Sequence, residues 1–233
     1  MLTRTRSSRL RRLHCAGSGR SVVVSALVFA ALTLAVAGRV TASPDARIAA
    51  ALRMHSGVWL DRLGAIAEIF GSMELAAPVL LIVAAVRWRR APWQSLALLV
   101  SFALATALEL TLKYTLVHQP PPELASNSPL ADLAVSFPSA GFTTPNAFPS
   151  GHAVRTVFLV LFLATVLPHR LVYAGAAVWV ALSALMLVYT HAHWPSDVAG
   201  GAVLGWAAFS LADLVSREAG EESPAPRSEP GAA

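Results

Sequence analysis

Six stretches of this chain are long, apolar and nearly free of charge, and a water-soluble fold has little room for them. They cover residues 21–38, 64–86, 94–114, 151–167, 171–190 and 198–215. A helix of about 20 mostly apolar residues crosses the hydrocarbon core of a bilayer. Inside lipid such a helix satisfies all of its own backbone hydrogen bonds. A soluble domain of 233 residues would instead need a polar coat, which 18 Lys+Arg and 13 Asp+Glu hardly supply to a chain that is 55% hydrophobic. The expected fold is therefore all-α: a polytopic membrane protein with six transmembrane helices. The fourth and sixth stretches are short, so their ends must borrow interfacial residues.

The basic residues are all arginine except Lys113, and they are sorted by side. Arg4, Arg6, Arg9, Arg11, Arg12 and Arg20 lie in the leader. Arg87, Arg89 and Arg90 join the second and third spans, Arg170 joins the fourth and fifth, and Arg217 and Arg227 lie in the tail. With six spans these twelve fall on one side, against Arg39, Arg47, Arg53, Arg62 and Lys113 on the other. Positive charge stays in the cytoplasm. Both termini are thus expected there, in a cell-membrane protein whose loops before spans two, four and six face the periplasm or exterior. Residues 1–20 read as a basic cytoplasmic leader, 21–215 as the membrane domain and 216–233, rich in Pro, Glu, Ser and Gly, as a disordered cytoplasmic tail. The first span is expected to be retained rather than cleaved, because its apolar run is longer than a signal peptide needs. Residues 43–62 mix Arg47, Arg53, Asp61 and Arg62 with Ile48, Leu52, Met54, Val58 and Trp59. That pattern suits an amphipathic helix lying in the interface or an ordinary connecting helix.

Chemistry concentrates in the outward loops. Glu109 and Lys113 are four apart and share a helix face at the end of the third span. The fourth span opens with Phe148-Pro149-Ser150-Gly151-His152. Ser150 is a natural N-cap there and Gly151 permits close backbone approach. The free N–H groups of a helix start attract anions, and His152 beside them can move protons at neutral pH. Between the fifth and sixth spans runs His191-Ala-His193-Trp194-Pro195-Ser196-Asp197. In a helical turn Asp197 can hold His193 through one ring nitrogen, leaving the other a better nucleophile. A cation, an anion site, a general acid and an activated imidazole on one membrane face suit attack on a phosphate ester. The ester would belong to a lipid phosphate.

These residues resemble the type 2 phosphatidic acid phosphatase superfamily, which includes bacterial undecaprenyl-diphosphate phosphatases and soluble vanadium haloperoxidases. Its marks are Lys-x6-Arg-Pro, Pro-Ser-Gly-His and Ser-Arg-x5-His-x3-Asp on a six-helix membrane core. Pro149-Ser150-Gly151-His152 and His193-x3-Asp197 are complete, and Lys113 begins the first motif. The resemblance implies that His193 is the nucleophile forming a phosphohistidine, Asp197 orients it and His152 protonates the leaving oxygen. It implies that Lys113, Ser150 and the Gly151 amide bind the phosphoryl oxygens of a lipid phosphate or polyprenyl diphosphate, with no metal and no cofactor.

Both motif arginines are absent. Pro120 and Leu187 stand at their positions, and Met186 stands where the serine is expected. Neither residue replaces a bidentate guanidinium. The loss of one charge-assisted contact to a transition state costs on the order of 2–4 kcal/mol. Arg155, His118 and His191 are the possible compensators. Arg155, one turn below His152, is expected either to bind substrate or to pair with Glu68, Glu74 or Glu109, since an intramembrane charge needs a partner. An alternative reading is a weak or inactive relative that binds a phospholipid or polyprenyl phosphate. A zinc site of His118, His152, His191, His193 and Asp197 ranks lower. A nucleic-acid partner is not expected, because the basic leader serves topology. The single cysteine, Cys15, excludes an intramolecular disulfide.

Overall fold

The computed structural model describes residues 19–54, 57–122, 144–167 and 169–221. The basic leader, the tail beyond residue 221 and most of the loop after residue 122 lie outside them. Among the described residues there are eight helices. They are α1 (Gly19–Ala37), α2 (Ala42–Arg53), α3 (Val58–Gly71), α4 (Met73–Trp88), α5 (Pro92–Thr115), α6 (Gly151–Val166), α7 (Arg170–Tyr189) and α8 (Pro195–Glu221). Helices α1, α5, α7 and most of α8 are long and apolar enough to cross a membrane; α3 and α4 meet that test only together. The chain is an all-helical, multi-pass membrane protein.

The second span is not the single straight helix its composition promises. It is broken at Gly71–Ser72 into α3 and α4, which are bent by 47°. Ser72 takes an extended conformation and its Oγ accepts the Leu75 N–H, capping α4. The break sits where α6 begins. A side chain at position 71 would come within 2.8 Å of the His152 carbonyl oxygen, so glycine permits that approach. A helix end also leaves carbonyls without an intrahelical partner, and the Gly71 carbonyl accepts from Arg155 Nε at 2.7 Å.

Helix α6 has only 16 residues, yet it is the centre of the bundle. Val154, Phe158, Leu159 and Phe162 from α6 form one core with Leu80 of α4, Phe102 of α5 and Leu204 and Phe209 of α8. Gly201 and Gly205 of α8 lie against the backbone of Ser150 and Val154, too close for any side chain. Small residues bring helices together in this way inside membranes, where apolar burial alone does not favour association. Outside this core, Leu27, Leu34, Ile82, Val86, Leu104 and Val178 are exposed, as lipid-facing residues should be.

Two segments depart from their expected forms. Residues 43–62 are not one interfacial helix but parts of α2 and α3, and α2 buries Asp45 and Ala49 against the bundle while Ile48 and Met54 stay exposed. Helix α8 runs past residue 215 to Glu221. An Arg217–Asp213 pair at 2.6 Å, four residues apart, supports that extra turn.

Candidate functional site

The end of the bundle where α5 and α7 finish is also where α6 and α8 start. Helix α5 delivers Glu109 and Lys113 from its last turns, four residues apart as the sequence spacing requires, with Nζ and Oε1 3.2 Å apart. The other oxygen of Glu109 lies 3.3 Å from Arg155 Nη1. Glu109 is almost fully buried and Arg155 is only 9% exposed. Of the partners expected for Arg155, Glu109 therefore forms the ion pair. One carboxylate thus serves two cations, and the Gly71 carbonyl takes the remaining guanidinium contact. A side chain at Gly151 would run into both Glu109 and Arg155.

Ser150 caps α6 as its position predicts, its Oγ accepting the Ala153 N–H at 3.2 Å. Its own N–H donates to the Asp197 carbonyl at 3.0 Å, tying the start of α6 to the start of α8. Asn146 makes the second tie. Its Nδ2 donates to the Lys113 carbonyl at 3.0 Å, and its Oδ1 accepts the His118 N–H at 2.8 Å. The chain that leaves α5 is thereby locked to the chain that enters α6.

His193 comes from the turn after α7. His191 adopts a left-handed backbone, φ 60°, which histidine tolerates better than most side chains. The chain reverses there, and the His193 N–H returns to the Leu187 carbonyl at 3.2 Å. The His152 and His193 rings are 5.8 Å apart at their centroids and tilted by 57°. Asp197, fully buried, faces two imidazoles. Its Oδ1 is 3.2 Å from His118 Nε2, and its Oδ2 is 3.8 Å from His193 Nδ1 while accepting the Trp194 N–H at 2.9 Å. The i, i+4 spacing places His193 beside Asp197, but at a separation longer than a hydrogen bond.

The two imidazoles are shifted in opposite directions. The Asp197 carboxylate raises His118 above the ordinary histidine value of 6.5, outweighing desolvation, with further help from Asp45. Burial lowers His193 below that value, and the Lys113 charge adds to the effect. His193 is therefore held neutral, the form a nucleophile needs.

Three features escape the motif reading. Asp45 of α2 accepts from Ser196 N at 2.9 Å and from Ser196 Oγ at 2.7 Å, capping α8 beside Asp197. Asn146 is the latch described above. Trp194 Nε1 donates to the Gln119 carbonyl at 2.8 Å, joining the segment that carries His118 to the His193 turn. An acidic residue in an apolar outer segment and an asparagine four before the capping serine were the only sequence signals. At the two positions of the missing arginines, Pro120 is exposed and Leu187 is packed in the core with Ala153 and Val198. Among the described residues no group of three or more His, Cys, Asp or Glu is arranged to hold a metal ion.

A sequence profile described as the PAP2 superfamily matches residues 94–219. The crystal structure of the first transmembrane PAP2-type phosphatidylglycerolphosphate phosphatase from Bacillus subtilis is similar, with a TM-score of 0.64 at 23% identity. The alignment covers 89% of this chain and 98% of that one. No curated relative matches the chain.

Proposed function

The chain belongs to the PAP2 superfamily, and from that premise we propose that it removes phosphate from a lipid phosphate or polyprenyl diphosphate at the outer membrane face, through a phosphohistidine. The observation that carries this reading is the convergence of Lys113, Ser150, His152, His193 and Asp197 at one end of the bundle, from three separate chain segments. With Nδ1 of His193 towards Asp197, Nε2 is the nitrogen left for substrate. Its lone pair attacks phosphorus, the bond to the lipid oxygen breaks, and His152 gives that oxygen a proton. Water then attacks the phosphohistidine, His152 takes a proton from it, and the P–N bond breaks to release phosphate. Lys113, the Ser150 hydroxyl, the Gly151 amide and Arg155 hold the phosphoryl oxygens, as donors fixed before the reaction begins.

A lipid substrate also needs space for its apolar part. Below the site, a cavity of about 470 Å³ lies between α6, α7 and α8, lined by Val157, Val160, Leu161, Ala177 and Val180 among others. It suits a hydrocarbon chain. The sorting of arginines to the opposite side supports an outward-facing site.

A second reading, a relative that binds phospholipid or polyprenyl phosphate without turnover, is favoured by one observation: Arg155 and Lys113 share a single carboxylate, and no arginine occupies positions 120 or 187. One comparison separates the two. Purified wild type and His193→Ala are assayed for phosphate release from a panel of monophosphate and diphosphate lipids. Release by wild type alone is expected. No release from any lipid would leave the binding reading standing.

A further inference from the structure

Resting on the phosphatase reading above, we infer that His118 is a phosphate-binding residue of this site, its imidazolium supplying positive charge where Pro120 and Leu187 supply none. Position is the first support. His118 Nε2 stands 3.2 Å from the carboxylate whose other oxygen faces His193, so the two imidazoles flank one buried anion. Protonated His118 has two ring N–H groups: Nε2 faces Asp197 Oδ1 at 3.2 Å, and the one on Nδ1 would serve a phosphoryl oxygen.

Preorganisation is the second support. The His118 N–H is bound by Asn146 Oδ1 at 2.8 Å, its carbonyl accepts the Ala147 N–H at 2.9 Å, and the next carbonyl, of Gln119, accepts from Trp194. A side chain on so anchored a backbone has less freedom left to lose on binding.

Charge is the third. Lys113, Arg155 and Glu109 together carry one net positive charge, which Asp197 cancels. A phosphate monoester brings roughly 1.5 to 2 negative charges. Asp45 beside Asp197 leaves the set one negative, and protonated His118 returns it to neutral, so that phosphate does not meet a net anion. Two carboxylates favour that form, Asp197 from α8 and Asp45 from α2. Other ionisable groups at this end include Lys113, Glu109, Arg155, Glu74, His152, His191 and His193, with Glu68 near Thr190 and Asp61 on the Tyr189 hydroxyl.

The test uses the full chain purified in detergent and separates binding from turnover. Inorganic phosphate binding is read by tryptophan fluorescence and lipid-phosphate hydrolysis by phosphate release, both from about pH 5 to about pH 9, a range that brackets histidine titration. His118→Gln and His118→Arg are compared with wild type; the ionisation of phosphate itself is common to all three. Wild-type affinity is expected to fall, relative to His118→Arg, as pH rises past 6.5. His118→Gln is expected to bind about tenfold more weakly at the acidic end, the size of one charge-assisted contact, and to lose that extra fall. Equal binding by His118→Gln and wild type across the range would overturn the inference. If His118→Gln does not fold, a His118→Arg profile that tracks wild type does the same. Binding that depends on His118 without hydrolysis of any lipid would sink the phosphatase reading alone. Hydrolysis by His118→Gln equal to wild type at every pH would sink the His118 inference alone.

Discussion

The site contains two buried carboxylates, and each serves two basic partners. Glu109 sits between Lys113 and Arg155, while Asp197 sits between His118 and His193. The first cluster pairs its carboxylate with an ammonium and a guanidinium. The second is built from imidazoles, so its charge follows pH. The molecule thus divides its electrostatics into one half anchored on α5 and α6, and a titratable half shared by the segment after α5 and the turn that starts α8. A phosphate held between them would meet both.

Removing the proposed nucleophile breaks the comparison most completely. His193→Ala is expected to lower phosphate release by about a thousandfold or more without unfolding, as checked by single-turnover assay and circular dichroism. A mutant that keeps a tenth of the activity would exclude His193 as the attacking group. Asp197→Asn is next. It removes the charge shared by both imidazoles, and a loss of about 10²–10⁴-fold in kcat is expected when an orienting carboxylate becomes an amide. Phosphate release measured against pH should also lose its dependence on His118.

The Glu109 half should respond in stability rather than in pH profile. Glu109→Gln leaves Lys113 and Arg155 buried without their counter-charge, and an uncompensated buried pair costs about 3–5 kcal/mol. Thermal unfolding in detergent should show that loss at every pH tested. A loss that disappears at either end of the range would contradict the division into two halves.

The pH profile sharpens the same division. His193 is lowered, so its neutral form persists as pH falls below 6.5; His118 is raised, so its charged form persists as pH rises above 6.5. Activity is expected to fall below 6.5 as His193 gains a proton, and phosphate binding to weaken above 6.5 as His118 loses one. The stabilising His118–Asp197 contact is fully present below 6.5 and is lost as pH rises through the raised value. The stability difference between wild type and His118→Gln should therefore shrink towards alkaline pH. The smallest effect belongs to the cap of α8. Asp45→Ala should cost about 1 kcal/mol, as other helix caps do, and weaken activity modestly by loosening the turn that carries Asp197. No change in either unfolding or turnover would make that contact incidental.

The spans and caps were legible because they are local. Apolar runs mark α1, α5 and α7 to within a few residues, and Ser150 caps α6 because a serine after proline at a helix start has little else to do. The break in the second span was not legible, since Leu75, Ala76 and Ala77 continue the apolar run across it and Pro78 lies well inside α4. The bend coincides with the approach of His152 to Gly71, a contact between segments far apart in sequence. The same holds for charge. Spacing alone placed Glu109 with Lys113 and Asp197 near His193, whereas the Asp197 partner at 3.2 Å is His118, from another loop.

From residues alone came the membrane, the helices, the family resemblance and the catalytic candidates, because hydropathy and capping act over one or two turns. Only the tertiary structure decided which carboxylate meets which cation. Arg155 reaches the Gly71 carbonyl 84 residues away, and Ser196 reaches Asp45 across 151. Such contacts depend on how closely helices approach one another. Glycines 71, 151, 201 and 205 set that approach where a single Cβ would close the space.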